Sequence, residues 1–140
     1  MIKSHPILNS YEVGNESIFP LRLSKLPHTW IIDLDGTVLK HNGHLFGGDL
    51  LLPGVQAFWG QLPTSDIVVL MSAREECYRD TTLDFLQRAG LRFDFALFGM
   101  PKGERILIND SKPLGLRTAI GLNLDRDSGL GCIQLTDSLE

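Results

Sequence analysis

The sequence predicts an open parallel α/β sheet with helices on both faces. Strand-like apolar runs alternate with helix-like segments along the chain, the pattern of such sheets. Three of those runs end directly in polar clusters: Asp33 and Asp35, then Ser72 and Arg74, then Asn109 and Asp110. Ligands in open α/β sheets bind beyond the carboxyl ends of the strands. All three clusters are therefore expected on one rim. The chain has 140 residues, 43% of them apolar and 21% charged, enough for one domain with a sizeable core.

The elements follow in order. Residues 1–28 carry Pro6, Pro20 and Pro27 among mixed polar residues, and read as an N-terminal arm with one short strand near Ile18–Leu23. Residues 29–140 form the domain. A buried strand is expected over 29–34. Residues 38–53 contain Gly43, Gly47, Gly48 and Pro53, which predicts a flap or short hairpin. Pro53 and Gly54 then open a helix over Val55–Gln61. The continuous apolar run Ile67–Met71 fits a parallel strand covered on both faces. Glu75–Ala89 reads as a helix with an apolar face of Tyr78, Leu83, Phe85, Leu86 and Ala89, stopped by Gly90. Further strands are expected at Phe93–Phe98, at Arg105–Asn109 ending in Asp110, and at Arg117–Leu124. No element is assigned to 125–140.

Charge and cysteine usage narrow the function classes. A net charge of −4 argues against broad nucleic-acid binding through the overall field, while leaving room for a local basic groove. Cys77 and Cys132 lack metal-ligand spacing and a disulfide framework, so two reduced thiols in a cytoplasmic protein are expected. The first twenty residues are too polar for a signal peptide. No apolar run approaches the roughly 18 residues that span a membrane.

The segment WIIDLDGTV, residues 30–38, concentrates the chemistry. Alternate side chains on an extended backbone share a side, so Asp33 and Asp35 project together from a strand end. Paired carboxylates repel unless a cation or a shared proton relieves them. Such a pair suits a hard-metal site and acid–base work. The competing reading of Asp-Gly is a helix cap or hairpin turn.

With these residues in view, the chain resembles the haloacid dehalogenase-like (HAD-like) superfamily of phosphatases over roughly residues 29–124. Four motifs stand in order: IIDLDGTV at 31–38, VVLMSAR at 68–74, Lys102 within MPKGER, and ILINDSK at 106–112. The resemblance implies a Rossmann-like sheet and a Mg²⁺-dependent phosphomonoesterase acting through an aspartyl-phosphate. Asp33 is then the nucleophile, and Asp35 protonates the leaving group and activates water. Ser72, Ala73, Arg74 and Lys102 bind the phosphoryl group, with Ser72 and Lys102 counted among the catalytic residues. Asp33, Asp35 through its backbone carbonyl, and Asp110 are the metal ligands. Asn109 departs from the paired-acid form of the fourth motif.

Each assignment has a competing reading. Ser72 with Glu75 three residues on has the form of a capping box. Lys102 reads equally as a solvated loop lysine, and Arg105 competes for its role. Arg74 lies in a Ser-x-Arg segment that resembles polynucleotide-kinase-type 3′-phosphatases and small capless sugar phosphatases; its competing role is an ion pair with Glu75, Glu76 or Asp80. His41 and His44 lie in the flap, within reach of substrate, but are read as solvated and left out of the core site.

The insert after the first motif, about 15 residues, is too short for a cap domain, and residues 75–101 leave no room for one. The resemblance therefore points to the capless subgroup. The acidic balance favours a small phosphorylated metabolite such as a sugar phosphate. The alternatives are a polynucleotide 3′-phosphatase and a catalytically idle phosphate-binding regulatory module. A homo-oligomer is also expected, because Leu45, Phe46, Leu50, Leu51 and Leu52 crowd the flap. Leu51 and Leu52 read equally well as core.

Overall fold

The computed structural model describes residues 10–14 and 16–137. The parts of the N-terminal arm at 1–9 and of the tail at 138–140 lie outside the described residues. The strands are β1 (Ser10–Val13), β2 (Phe19–Leu23), β3 (Thr29–Asp33), β4 (Ile67–Met71), β5 (Phe95–Leu97), β6 (Gly121–Leu124) and β7 (Ile133–Asp137). The helices are α1 (Val55–Gln61) and α2 (Arg79–Arg88), with single 3-10 turns at Gly43–Leu45 and Glu76–Tyr78.

Among the described residues, the named strands all pair in parallel, as expected of an α/β chain. β3, β4 and β5 form one sheet in that order, β1 pairs with β6, and β2 pairs with β7. The single continuous sheet of the sequence reading is thus three small ones. The described part of the arm is built into the fold: Val13 of β1 and Leu21 of β2 are buried in the core. Pro20 fits β2 because a residue without an N–H is tolerated on an edge strand.

α1 follows its predicted bounds. Val55, Phe58 and Trp59 recur at the spacing of one helix face and are buried together. Gly54 enters the helix with φ +75°, and a Cβ there would come within 2.4 Å of the Gly131 backbone. Only glycine meets both demands, and the contact ties the α1 entry to the segment leading into β7.

Residues 75–89 divide differently from the expectation. Glu75 is extended, the Glu76–Tyr78 turn follows, and α2 starts at Arg79. The end is as read. Gly90 is left-handed at φ +81°, and the Leu91 N–H donates to the Leu86 carbonyl at 3.0 Å, closing a Schellman turn.

Helices do not cover both faces of the β3–β4–β5 sheet. Trp30, Ile32, Val68 and Leu70 turn toward the core, whereas Ile31 and Phe95 on the opposite face are 47% and 61% exposed. The expected strand at Arg105–Asn109 is absent as well. Residues 101–117 are exposed throughout and carry no helix or strand. The expected strand at Arg117–Leu124 shortens to β6. Among the described residues, no helix is long and apolar enough to cross a membrane, and both cysteines are free.

Candidate active site

β3 and β4 set the site. Their register pairs Asp33 with Met71, so Asp33 and Ser72 lie at neighbouring strand ends. After Asp33 the chain folds back on itself. The N–H groups of Thr37, Val38 and Leu39 all donate to the Leu34 carbonyl, at 3.2, 2.9 and 2.9 Å. Leu34, Val38 and Leu39 are fully buried, which anchors this loop. Gly36 is left-handed at φ +85°, and the flank of its Cα lies against the Arg126 side chain, whose Cγ is 3.2 Å from where a Cβ would stand.

Each of the two acids is held by an arginine. Asp33 Oδ1 accepts from Arg105 Nη1 at 2.8 Å, and Asp33 Oδ2 accepts from Thr37 Oγ1 at 3.0 Å. Arg105, the competing candidate of the sequence reading, is therefore the cation on this carboxylate. Lys102 is exposed and makes no ion pair among the described residues. Asp35 accepts from Arg74 through both oxygens, from Nε at 2.9 Å and from Nη2 at 3.0 Å.

Arg74 departs most from expectation. Only 4% of the residue is exposed. Beyond Asp35, its Nη2 and Nη1 donate to Asp49 at 2.6 and 2.9 Å, and Nη1 also donates to Thr82 Oγ1 at 2.8 Å. A guanidinium has five N–H donors, and all five are used within the protein. Burial alone would lower the Arg74 pKa; the hydrogen bonds to Asp49 and Asp35 outweigh it and raise that pKa above the ordinary arginine value. The donors that Arg74 was expected to offer a substrate phosphate or leaving group are occupied here by two carboxylates and a hydroxyl. Its partners are also not the expected Glu75, Glu76 or Asp80.

Ser72 is buried, and its Oγ accepts from the Arg74 N–H at 2.9 Å. It does not cap a helix, since the Glu76–Tyr78 turn has no side-chain cap. Ala73, between them, is half-buried.

The flap is a short hairpin. Lys40 N–H donates to Leu50 O at 3.0 Å and Leu52 N–H to Val38 O at 2.9 Å. It is pinned from two sides, by Asp49 on Arg74 and by the His41 N–H donating to Asp127 Oδ1 at 2.8 Å. Its histidines are not solvated as expected. The Nδ1 atoms of His41 and His44 are both buried without a hydrogen-bond partner. His44 stands edge-on to Tyr78 and places Nδ1 3.8 Å from Asp35 Oδ1.

Asp110 does not join the other acids. It lies in the exposed 101–117 segment, and its backbone carbonyl accepts from the Thr118 hydroxyl. Among the described residues, no three His, Cys, Asp or Glu side chains are grouped so as to hold a metal ion. The donor set Asp33, Asp35 and Asp110 suits a hard cation in kind. In the structure Asp110 lies on the exposed 101–117 segment, and the three acids are not gathered into one group.

Asp49, Thr82 and Asp127 were missed in the sequence. No family model, curated protein or solved structure matches the chain.

Proposed function

We propose that the chain is a Mg²⁺-dependent phosphomonoester hydrolase of the HAD-like, capless kind, acting on a small phosphorylated metabolite such as a sugar phosphate. The observation that carries this reading is the position of Asp33. It ends a parallel strand, pairs with Met71 just before Ser72 at the end of the neighbouring strand, and is oriented by Thr37 and Arg105 on separate oxygens.

In this reading an Asp33 oxygen attacks phosphorus and the bond to the leaving oxygen breaks, giving an aspartyl-phosphate. Asp35 delivers the proton to the leaving oxygen. It then removes a proton from a water molecule that attacks the same phosphorus, releasing inorganic phosphate and restoring Asp33. Arg105 offsets the negative charge that gathers as carboxylate and phosphate meet. Mg²⁺ would supply further charge neutralisation.

Asp33, Asp35 and Asp110 are the proposed ligands, and Asp110 must approach the other two for that role. Two observations support such an approach. β3 is an edge strand of its sheet. Ile106, Leu107 and Ile108, just before Asp110, are 82%, 55% and 89% exposed and have apolar surface to bury.

The test is hydrolysis of an aryl phosphate with and without Mg²⁺, followed by a panel of phosphorylated sugars, nucleotides and 3′-phosphorylated oligonucleotides. Metal-dependent turnover with preference for a sugar phosphate is expected. No hydrolysis of any member rejects the hydrolase, and preference for the oligonucleotide transfers the reading to a nucleic-acid phosphatase.

A further inference from the structure

Arg74 stands in the segment that follows β4, yet it has no N–H left for a ligand. Its five donors join three elements: Asp35 after β3, Asp49 from the flap, and Thr82 on α2. The guanidinium is a rigid planar fork, so filling every donor fixes the planes of its partners. Nη2 is shared, reaching Oδ1 of Asp35 at 3.0 Å and Oδ1 of Asp49 at 2.6 Å. The Asp49 side chain is 7% exposed and that of Asp35 is 17% exposed. Arg74 thus takes one lone pair from each Asp35 oxygen. The remaining lone pairs belong to a carboxylate with a solvent-facing side.

The backbone holds Asp49 in place. Gly48 N–H donates to Gly43 O at 2.9 Å, and a Cβ on Gly43 would approach Gly48 O to 2.9 Å, so the flap turn is closed tightly just before Asp49. With Asp49 and Thr82 in place, the guanidinium can offer Asp35 only its Nε–Nη2 edge. Without Asp49, two of five donors lose their acceptor, and the fork is free to turn relative to Asp35.

We propose that Asp49 is a positioning residue of the hydrolytic site, acting through Arg74 to hold the Asp35 carboxylate in the plane that proton transfer requires. This rests on the reading of Asp35 as the proton donor to the leaving group. It makes the flap part of the catalytic apparatus, since lifting Asp49 off Arg74 would also release Asp35.

The experiment compares wild type, Asp35→Asn, Asp49→Asn and the double variant on aryl phosphates graded from good to poor leaving groups. Asp49→Asn is expected to cost roughly 10–10²-fold in kcat for the poorest leaving group and less than about threefold for the most activated, following the smaller demand for a proton. On the Asp35→Asn background it should cost nothing further. A purely structural Asp49 would lower all substrates equally and add to the Asp35→Asn loss, which overturns the proposal. Should Asp49→Asn not fold, Thr82→Val removes one hydroxyl from the same guanidinium and carries the test: graded loss supports the proposal, uniform or absent loss overturns it. A wild type without hydrolysis, or an Asp35→Asn enzyme without leaving-group dependence, removes the underlying reading and this proposal with it. A graded Asp35→Asn beside a flat Asp49→Asn overturns this proposal alone.

Discussion

Replacing Arg74 by methionine tests the buried triad directly. Methionine retains much of the apolar stem and removes the charge and all five donors. Asp49 is then left nearly enclosed without a cation, and Asp35 loses both of its guanidinium bonds. Removing one partner of a buried ion pair costs about 3–5 kcal/mol, because a desolvated charge is left uncompensated. Asp35 and Asp49 accept four hydrogen bonds from this one group, which points to the middle of that range, about 4 kcal/mol. For a chain of this size, about 3–4 °C of Tm is lost per kcal/mol, so a fall of roughly 12–16 °C is expected. Thermal and urea unfolding followed by circular dichroism measure it. Adding Asp49→Leu to Arg74→Met removes one stranded carboxylate and should recover part of the loss. Arg74→Lys should fall between, since an ammonium has three donors and no planar fork. An Arg74→Met protein within about 1 kcal/mol of wild type would refute the reasoning, as an isolated solvated ion pair contributes no more than that.

The other predictions concern the acids, the cations and the surface. Asp33→Asn should abolish phosphoenzyme formation, whereas Asp35→Asn should retain it on activated substrates and lose roughly 10²–10⁴-fold where the leaving group needs a proton; rapid-quench measurement separates the two. Arg105→Ala should lower kcat while Lys102→Ala leaves it nearly unchanged, because of these two cations it is Arg105 that touches Asp33; the reverse result returns the role to Lys102. Asp66 is buried and accepts from His28 N–H, His28 Nδ1 and Trp30 Nε1. Burial pushes its pKa up, but the bonds from Trp30 and His28 prevail and hold it below the ordinary aspartate value. Its contribution to stability is therefore full above about pH 4 and lost as pH falls through the folded value. The deficit of Asp66→Asn in urea unfolding should shrink over that acid window, and a deficit constant with pH counts against this account. In the flap, Leu45, Phe46 and Leu50 are exposed while Leu52 is core. Light scattering across a dilution series should show a homo-oligomer that covers the exposed three, and a fully active monomer at micromolar concentration rejects it.

Much of the frame was legible in the sequence because its signals are local. The apolar runs before Asp33 and Ser72 gave β3 and β4, and Pro53 with Gly54 gave α1 its start. Gly90 ended α2 for a reason internal to the helix, its left-handed closing turn. The outer strands were less legible. β1 pairs with β6 and β2 with β7 across more than a hundred residues, and nothing in four or five residues names so distant a partner. Ser72 looked like a capping serine by spacing, but its hydroxyl oxygen is committed to the Arg74 N–H. The Arg105–Asn109 run has strand composition, and what it lacks in the structure is a ladder, a property of its neighbours rather than of its own residues.

The arginines show where local reading ends. A charge that follows an apolar strand reads as a rim residue reaching for a ligand. Yet Ser72 and Arg74 are both buried, with half-buried Ala73 between them, so the alternation of β4 continues past its last ladder bond and carries Arg74 inward. A guanidinium turned inward must find carboxylates, because an unpaired buried charge is too costly to keep. That demand was knowable in principle; its answer was not. Glu75, Glu76 and Asp80 are near in sequence, but Asp35 lies 39 residues away and Asp49 lies 25 away. Both can converge on one fork because β3 runs beside β4 and the flap folds back over the strand ends. The same geometry gives Asp33 a cation from 72 residues downstream. The two acids that stand one residue apart in the sequence therefore have different neutralising partners, one buried and fully committed, the other on an exposed segment. The roles proposed for these two carboxylates, nucleophile and proton carrier, thus fall on side chains held by different arginines.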